Sequence, residues 1–575
     1  MSTTAETSAA LLGADATPLP TLLRHWARHQ GDQPAITFLD YARDPGGFAT
    51  TLTWAELDEL VDSIAASIQT RCAEGDRVAI LVEQSTHYVA SFLAVIRAGL
   101  VAVPLYPPGL PQYDERLAAI LADCAPALLL TTSGRVADVD RFASDNELGG
   151  AVAFPVDAVP DPPPWQDLPH KPDEIAYLQY TSGSTRTPAG VVLTHAAVVA
   201  NACQAVDCFE VVHGRSVCVS WLPLFHDMGL MLGAAAALVG GIPVVLLDPG
   251  AFLEKPVRWL RALSANPGAI TAAPSFAFAY AAARTTPQDR MLLRLDEVDV
   301  LVDGSEPVVP ANIDRFHDTF AECGLRRAAH RPSYGLAEAT VLVTTSPAGT
   351  EPYLRTFDAE SLAAGIGVDP APGRRASTLV GCGIPVGQEV LLVDPATGTP
   401  VRDWSVGEVW VSGPNVATGY WGQQELSERT FGAQLPGRSG RWLRTGDLGL
   451  LADGQLFITG RLKDLVIVDG RNHYPQDIEH TVEHAHTAIR RHATAAFSVV
   501  DSGERLVVLA ERAKDVGPDR DVEVTAAVRT AVSAAHGIAV HDLVLLGPGE
   551  VPRTSSGKIS RTASRASYLA REARP

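Results

Sequence analysis

The hydrophobic positions of the chain form short continuous runs that alternate with longer stretches of helical spacing. The runs predict buried strands at residues 77–82, 101–105, 127–131, 175–178, 269–272 and 298–302. The stretches predict helices at residues 53–69, 88–98, 116–125 and 256–266. Strands that alternate with helices form parallel sheets covered by helices, so this pattern predicts an α/β fold.

The pattern changes after about residue 375. Short predicted strands separated by glycine turns indicate a β-rich subdomain that extends to about residue 460, with strands at 388–393, 407–411 and 455–458. A smaller α+β unit is predicted to begin after Gly460-Arg-Leu-Lys-Asp464. Its strands are predicted at 465–468, 494–500 and 505–510, and its helices at 476–484 and 522–536. We therefore expect a domain boundary at 460–463, with an N-terminal domain of residues 1–460 and a C-terminal domain of residues 461–575.

The composition is that of a globular protein able to build large cores, with 46% hydrophobic and 19% charged residues. The length of 575 residues corresponds to about three or four structural units. The formal net charge of −20 argues against a nucleic-acid partner, because binding to nucleic acid requires clustered Lys and Arg. It does not exclude a local basic site for a ligand that carries phosphate.

The seven cysteines are scattered, without a C-x-x-C pair or a Cys/His cluster. This spacing predicts neither a zinc site nor a disulfide framework and favours reduced thiols in a cytoplasmic protein. Residues 1–16 lack a basic region followed by an apolar stretch, so we expect a frayed terminus rather than a signal peptide. The longest apolar stretches, such as residues 228–239, are too short to span a bilayer.

A loop of small hydroxyl and glycine residues, Thr181-Ser-Gly-Ser-Thr185, follows the predicted strand at 175–178. Such a loop turns N–H and O–H groups inward without bulky side chains, which makes a cradle for phosphate oxygens. It is not the Walker pattern, because Pro188 and Gly190 follow in place of Gly-Lys-Ser/Thr. The alternative is a surface loop between a strand and a helix.

The segment Pro332-Ser-Tyr-Gly-Leu-Ala-Glu-Ala-Thr340 has the composition of a nucleotide site. The ring of Tyr334 can stack on a purine, Gly335 allows the backbone to come close, and Glu338 can bind Mg²⁺ through oxygen. The alternative for Glu338 alone is a solvated carboxylate at the start of a helix.

Two further segments carry groups that a nucleotide can use. Asp447, in Thr445-Gly-Asp-Leu-Gly449, can accept hydrogen bonds from both hydroxyls of a ribose, although Gly-Asp is also common in plain turns. Gly304-Ser-Glu-Pro307 follows a predicted strand and lies at its carboxyl end, where open α/β sheets bind ligands.

Two candidate catalytic side chains lie outside these segments. Lys558, in Val551-Pro-Arg-Thr-Ser-Ser-Gly-Lys-Ile-Ser-Arg561, is either a solvated cation or a mobile charge that reaches an anionic transition state. His226-Asp-Met-Gly229 follows an apolar segment, and a lone His-Asp pair is more often a structural hydrogen bond than a catalytic one.

In order and spacing, these segments resemble the adenylate-forming superfamily of acyl-CoA synthetases, luciferases and peptide-synthetase adenylation domains. The similarity covers residues 20–563 and is strongest for the fatty acyl-AMP ligases. Three features point to that subgroup: Leu178-Gln-Tyr-Thr-Ser-Gly-Ser-Thr-Arg-Thr-Pro-Ala-Gly190, His226-Asp-Met-Gly-Leu230, and a long segment at about 346–376. That segment is similar to an insertion that these ligases carry and CoA synthetases lack.

The resemblance implies a large N-terminal domain of two helix-covered parallel sheets plus the β-rich subdomain, followed by a small mobile α+β domain. It implies that the β- and γ-phosphates of ATP are held by Thr181, Ser182, Gly183, Ser184 and Thr185. It implies an adenine and ribose site made of Gly304, Ser305, Glu306, Tyr334, Gly335, Ala337, Asp447, Ile458 and Arg461.

The remaining roles follow from the same resemblance. Glu338 is implied as the Mg²⁺ ligand, Lys558 as the bridge between the acyl carboxylate and the α-phosphate, and His226 as a neighbour of that carboxylate. Lys463 is implied as the hinge for rotation of the C-terminal domain. The acyl tunnel is harder to predict, since each candidate is equally compatible with a plain core position; the candidates are Phe225, Met228, Met231, Phe276 and Phe278.

The implied reaction is ATP-dependent activation of a fatty or related carboxylic acid to acyl-AMP, with release of pyrophosphate. The acyl group is then transferred to the phosphopantetheine thiol of an acyl carrier protein, often of a polyketide or nonribosomal peptide pathway. One alternative is a CoA ligase that uses free CoA, against which the insertion argues.

The other alternative is a non-catalytic acyl- or nucleotide-binding homologue. It is motivated by Ala189, which stands where the wider superfamily has Lys. The presence of Glu338, Asp447 and Lys558 argues against it. Arg186 stands where that superfamily has Gly, and it is the candidate cation for the leaving pyrophosphate.

Overall fold

The computed structural model describes residues 17–109, 111–159, 166, 168–181, 188–468, 471–500, 504–554 and 558–572. The predicted frayed terminus at 1–16 and residues Ser182, Gly183, Ser184, Thr185 and Arg186 of the predicted phosphate loop lie outside this range. In the described part, the order of strands and helices confirms the predicted α/β class.

The first large sheet has seven strands among the described residues. In spatial order they are Gly419–Tyr420, Gly190–Thr194, Ile175–Tyr180, Val101–Pro104, Arg77–Ile80, Leu128–Thr131 and Val152–Pro155. The last five of these run parallel, as predicted, but the first three pair antiparallel. Because Tyr180 pairs with Gly190, the predicted phosphate loop connects two antiparallel strands rather than a strand and a helix.

The second large sheet has nine strands among the described residues. In spatial order they are Ile384–Pro385, Thr344–Thr345, His330–Tyr334, Val298–Gly304, Ala269–Pro274, Val217–Ser220, Val244–Leu247, Pro34–Asp40 and Phe48–Thr53. The six strands from His330–Tyr334 to Pro34–Asp40 run parallel, and antiparallel strands close both edges.

The smaller sheets lie downstream. The predicted β-rich subdomain is a four-stranded antiparallel sheet, in the order Glu389–Val393, Gly407–Ser412, Leu443–Ala452 and Gln455–Arg461. The predicted insertion at about 346–376 contains the strand Leu354–Asp358, which pairs antiparallel with Ala376–Val380 at its end. The C-terminal unit contains the short pair Val466–Val468 and Arg471–His473, and a three-stranded sheet of Ile489–Val500, Glu504–Arg512 and Val540–Leu546.

Helices cover these sheets. In the N-terminal part the α-helices are Leu19–His29, Trp54–Gln69, Thr86–Arg97, Pro111–Cys124, Val136–Asp145, His195–Cys208, Asp227–Leu230, Ala236–Gly240, Pro249–Glu254, Val257–Ser264, Ser275–Arg284, Pro287–Arg290, Pro310–Phe320, Ala359–Ala363 and Gln424–Phe431. A π-helical turn, Met231–Ala235, joins two of them. In the C-terminal unit the α-helices are Pro475–Ala485, Asp521–His536 and Arg561–Glu572. The short 3₁₀ turns are Ser133–Arg135, Ala321–Cys323, Arg327–Ala329, Ala337–Ala339, Leu462–Asp464 and Pro518–Arg520.

The helix Thr86–Arg97 shows how the two large sheets share one core. All but one of its residues are buried, which is typical of a helix enclosed on every side. Its guanidinium, Arg97, is 1% exposed and bonds to Asp58 at 2.5 Å and to Asp62 at 2.6 Å, which compensates the buried charge. No helix in the described ranges is long and apolar enough to cross a membrane.

Candidate active site

The candidate site lies where three neighbouring parallel strands of the nine-stranded sheet end. The strands Ala269–Pro274, Val298–Gly304 and His330–Tyr334 are adjacent and in register, so their carboxyl ends meet at one edge. Ser275-Phe276, Ser305-Glu306 and Gly335 follow directly after these ends. This edge is where open α/β sheets bind ligands.

The C-terminal unit brings a lysine to this edge. The ammonium Nζ of Lys558 donates a hydrogen bond of 2.7 Å to Oγ of Ser305, across 253 positions of sequence. The turn that carries Lys558 is held by its own backbone, because Thr554 N–H donates to the Lys558 carbonyl at 2.7 Å and Ser560 N–H to the Pro552 carbonyl at 2.9 Å. Burial lowers the pKa of Lys558, and the nearby carboxylates of Asp227 and Glu306 oppose that shift.

The backbone that receives Lys558 is unusual. Ser305 has a φ of +69°, in the left-handed region that non-glycine residues rarely adopt. A Cβ on Gly304 would lie 2.9 Å from the Ser333 carbonyl oxygen of the neighbouring strand, so only glycine fits there. The next carboxylate, Glu306, accepts a hydrogen bond of 2.7 Å from Phe276 N–H, and burial raises its pKa. These features fix the backbone that carries Ser305.

A second carboxylate, Asp447, links the β-rich subdomain to this edge. Its Oδ2 accepts a hydrogen bond of 2.8 Å from the hydroxyl of Tyr334, and its Oδ1 accepts one of 2.9 Å from Nε of Arg461. Asp447 and Arg461 are direct partners on neighbouring antiparallel strands. Asp447 raises the pKa of Arg461 further above its ordinary value. Since each carboxylate oxygen has two lone pairs, Asp447 keeps the capacity to accept from a ligand.

The third carboxylate, Glu338, lies on the 3₁₀ turn Ala337–Ala339. Its Oε1 accepts a hydrogen bond of 2.8 Å from the hydroxyl of Tyr420, which belongs to the strand that pairs with Gly190–Thr194 beside the predicted phosphate loop. Burial raises the pKa of Glu338. A half-buried carboxylate with a neutral hydroxyl partner fits a cation ligand, because a cation would stabilise its charged form.

No group of three or more His, Cys, Asp or Glu suited to a metal ion occurs among the described residues. A site with a single protein carboxylate still fits Mg²⁺, which is commonly held by one or two carboxylates together with substrate phosphates.

A tight loop positions Glu338. A Cβ on Gly335 would lie 1.6 Å from the Val341 carbonyl oxygen, so the chain can close on itself only with glycine at that position. Thr340 has a φ of +65°, which is strained for a β-branched residue. Its hydroxyl donates to the Asn415 carbonyl at 2.7 Å, and the Asn415 amide donates back to the Ala339 carbonyl at 2.8 Å. The β-rich subdomain therefore holds this strained loop in place.

The predicted His226 lies at the start of the helix that follows the strand Val217–Ser220. Its Nδ1 is 2.5 Å from Oδ1 of Asp227, and the same oxygen accepts from Met228 N–H at 2.7 Å. Burial alone would raise the pKa of Asp227, but His226 and then Lys558 lower it below its ordinary value. The His226-Asp227 pair and Lys558 are therefore electrostatic neighbours.

Thr181, the first residue of the predicted phosphate loop, has a neighbour that the sequence did not indicate. The guanidinium of Arg116, on the helix Pro111–Cys124, donates to the Thr181 carbonyl. Burial lowers the pKa of Arg116. No local motif marks this arginine, because its proximity to the loop arises from the packing of a helix against the edge of the sheet. Tyr420 was missed for the same reason, whereas Asp227 already belonged to the His-Asp pair that the sequence showed.

The predicted acyl-pocket residues have different surroundings in the structure. Met228 lines a small apolar cavity whose wall does not include the other four. Phe278 is fully buried among Trp259, Phe316 and His330, in an aromatic cluster typical of a core. Of the other three, Phe225 packs edge-on against Tyr106, Met231 is buried, and Phe276 is partly buried.

The remaining predicted residues lie at the junction with the C-terminal unit. Ile458 is half-buried on the strand Gln455–Arg461. Lys463 lies on the 3₁₀ turn Leu462–Asp464, where burial lowers its pKa. Asp464 of the same turn accepts from Arg561 at 3.3 Å, and Arg561 also makes two hydrogen bonds of 2.7 Å to Glu479. The start of the helix that follows Lys558 is thus tied to the predicted hinge.

Comparisons with known proteins agree with this architecture. Residues 23–421 match the family described as "AMP-binding enzyme", and residues 463–574 match "Disco-interacting protein 2-like, AMP domain". The chain is 43% identical over 564 residues to the long-chain-fatty-acid–AMP ligase FadD26 of Mycobacterium marinum, covering 95% of this chain and 96% of that protein. It is also 43% identical over 565 residues to the putative fatty-acid–CoA ligase fadD25 of Mycobacterium tuberculosis, covering 94% of this chain and 96% of that one.

Among solved structures, one from a study of fatty acyl-adenylate ligases from E. coli and L. pneumophila superimposes with a TM-score of 0.86. It is 31% identical in sequence, and the match covers 97% of this chain and 98% of that one.

Proposed function

The chain belongs to the AMP-binding enzyme family, and we propose that it activates a fatty or related carboxylic acid with ATP to give acyl-AMP and pyrophosphate. The observation that carries this proposal is the hydrogen bond from Lys558 to Ser305 at the carboxyl edge of the nine-stranded sheet. It supports a site that places a cation from the C-terminal unit over a nucleotide pocket of the N-terminal unit.

The proposed chemistry requires no base from the enzyme. A carboxylate oxygen of the acid attacks the α-phosphorus of ATP, a new P–O bond forms, and the bond from the α-phosphorus to the bridging oxygen breaks as pyrophosphate leaves. The main task of the protein is to align two anions that repel each other and to neutralise the charge that develops. Lys558, near His226-Asp227, is suited to bridge the acyl carboxylate and the α-phosphate.

The other site residues are proposed to hold the nucleotide. Tyr334, Asp447 and Arg461 form a hydrogen-bonded set that supports a role in binding adenine and ribose. Glu338 would hold Mg²⁺, which when bound would neutralise phosphate charge. Arg116, beside the start of the hydroxyl loop, joins Arg186 as a candidate cation for the leaving pyrophosphate.

We propose an acyl carrier protein as the acceptor of the acyl group, with rotation of the C-terminal domain about Lys463. The segment predicted as an insertion supports this proposal by its contacts. Nη2 of Arg375 lies 3.0 Å from Nδ1 of His536, and the Tyr474 hydroxyl donates to the Leu362 carbonyl at 3.4 Å. The insertion can therefore influence how the C-terminal domain moves. The seven free cysteines fit the proposed cytoplasmic location.

The test is a comparison of acceptors with the purified full-length chain. Fatty acids are supplied with ATP and Mg²⁺, pyrophosphate release is measured, and activated acyl groups are trapped with hydroxylamine. Free CoA and a phosphopantetheinylated carrier protein are then offered in parallel. We expect hydroxamate in the first step and acyl transfer to the carrier protein only.

The other outcomes identify the alternatives. Formation of acyl-CoA would favour a CoA ligase, the activity in the name of the relative fadD25. The absence of both pyrophosphate and hydroxamate for every acid would indicate a non-catalytic homologue and would overturn the proposal.

A further inference from the structure

The segment that leads to His226 is buried although it belongs to no strand or helix. It starts directly after the strand Val217–Ser220 and ends at His226. Three of its residues are at most 5% exposed: Trp221, Leu222 and Leu224. Backbone N–H and C=O groups in such a place have no water as a partner, and an unpaired one costs stability. Their hydrogen bonds therefore have to come from other parts of the chain.

Gln84 makes three of these hydrogen bonds from the other large sheet. It follows the strand Arg77–Ile80 of the seven-stranded sheet. Its Nε2 donates to the Leu222 carbonyl at 3.0 Å and to the Leu247 carbonyl at 2.7 Å, and its Oε1 accepts from Leu224 N–H at 3.1 Å. Since Leu247 belongs to the nine-stranded sheet, one side-chain amide joins the segment to both large sheets.

A second glutamine, Gln179, holds the residue that comes before His226. Its Nε2 donates to the Phe225 carbonyl at 3.0 Å, and Gln179 is 2% exposed. Gln179 lies on the strand Ile175–Tyr180, which leads into Thr181 at the start of the hydroxyl loop. The strand before this loop is therefore joined directly to the segment that carries His226.

We infer that Gln84 and Gln179 are positioning residues for the reaction, which hold His226 in place beside the acyl carboxylate. This inference rests on the proposed acyl-activating function. His226 contacts Asp227, whose carboxylate is an electrostatic neighbour of Lys558. A displacement of about 1 Å near the reacting groups can lower a rate by about 100-fold. The two glutamines can therefore control activity although neither is one of the reacting groups.

Two variants remove these hydrogen bonds. Gln84→Met keeps an unbranched side chain of similar length but has no amide. Gln179→Met loses only the donation to the Phe225 carbonyl, because Oε1 of Gln179 has no hydrogen-bond partner among the described residues. The matched control is Gln30→Met, since Gln30 Nε2 donates to the Gly241 carbonyl at 3.1 Å and joins distant segments outside the candidate site. Thermal unfolding is recorded for every variant.

The first readout separates the constants for the acid from those for ATP. We expect Gln84→Met to lower kcat/KM for a fatty acid by about 10- to 100-fold and to leave KM for ATP unchanged, because the displaced segment carries His226 and not the proposed ribose site. A smaller loss is expected for Gln179→Met, which removes one bond. A purely structural role would lower the unfolding temperature and leave the constants of the folded enzyme unchanged, and we expect this behaviour of Gln30→Met.

The second readout is a double-mutant cycle with His226→Ala. If Gln84 acts through His226, the double variant of Gln84→Met and His226→Ala is expected to have the activity of His226→Ala alone, within about twofold. Losses that multiply in the double variant would show that Gln84 acts independently of His226.

Three results would overturn the inference and leave the proposed function intact. The first is wild-type kcat and KM for the acid in folded Gln84→Met and Gln179→Met. The second is the multiplied loss in the double variant, and the third is wild-type activity of His226→Ala. If the wild-type protein activated no acid of any length, the proposed function would fail instead, so the two failures are distinguishable.

Discussion

The substitution Asp447→Asn tests the proposed ribose site with a close internal control. In the structure the Asp447 carboxylate is 6% exposed and accepts from the Tyr334 hydroxyl at 2.8 Å and from Arg461 Nε at 2.9 Å. Asparagine preserves the shape but removes the charge, and its amide can accept through one oxygen only. Tyr334, Arg461 and any ribose hydroxyl bound there would each lose a charged hydrogen-bond acceptor.

The expected loss of transition-state stabilisation depends on how buried each contact of Asp447 is. A hydrogen bond to a charged group contributes about 1.5 to 3 kcal/mol, and the half-exposed Arg461 adds under about 1 kcal/mol because solvent screens its pair with Asp447. We therefore expect Asp447→Asn to lose about 2 to 3 kcal/mol of transition-state stabilisation, which corresponds to a fall of about 30- to 160-fold in kcat/KM for ATP.

The matched control is Asp453→Asn. Asp453 also accepts from a tyrosine hydroxyl and an arginine, Tyr353 at 2.7 Å and Arg355 at 2.9 Å, but its side chain is 38% exposed and lies outside the candidate site. We expect this control to change kcat/KM by less than about twofold, since exposed pairs contribute little. Pyrophosphate release at varied ATP and thermal unfolding are measured for both variants. A folded Asp447→Asn protein with the wild-type dependence on ATP would refute the assignment.

Three further predictions address the loop, the phosphate end and the ionisation of the site. Gly335→Ala is expected to abolish pyrophosphate release, because the added Cβ would lie 1.6 Å from the Val341 carbonyl oxygen. The control Gly134→Ala, whose added Cβ has no atom within 4 Å, is expected to leave activity unchanged. An active Gly335→Ala enzyme would contradict this prediction. Arg116→Ala is expected to lower kcat/KM for ATP by about 10- to 100-fold with a smaller effect for Arg116→Lys, and equal activity of all three proteins would exclude a phosphate role. Burial lowers the pKa of Lys558, so activity that needs the protonated ammonium is expected to fall at a pH below the ordinary lysine pKa. In a Lys558→Arg variant with measurable activity, this alkaline fall in activity is expected to move to higher pH. If the fall stays at the same pH in that variant, another group causes it.

The sequence predicted the elements with strong periodicity and the motifs with unusual local chemistry. The helix predicted at 53–69 is Trp54–Gln69, opened by a Thr53–Glu56 capping box, and the strand predicted at 455–458 is Gln455–Arg461. The antiparallel edge strands and the strand Val540–Leu546 were not predicted. Short strands, and strands interrupted by polar residues such as His541 and Asp542, have weak patterns that only pairing with a neighbour reveals.

The same limit applies to the candidate site. Lys558, Glu338 and Asp447 lie in segments that are recognisable by their glycine and hydroxyl residues. The motifs could not show how close these three side chains lie to one another, because tertiary packing brings the segments together. Arg116 has no such signal, since it lies on an ordinary amphipathic helix and meets Thr181 only through tertiary packing. Phe278 illustrates the opposite case, in which an aromatic residue near a strand end is plain core.

The central claim is that Lys558 supplies the charge that allows the carboxylate and the α-phosphate to react. The most direct measurement is single-turnover pyrophosphate release and hydroxamate formation by Lys558→Ala, with the exposed Lys514→Ala as the control. The account predicts a loss of about 100- to 1,000-fold or more for Lys558→Ala, with unchanged thermal unfolding of the N-terminal domain and full activity of Lys514→Ala. Pyrophosphate release at the wild-type rate from folded Lys558→Ala would contradict it.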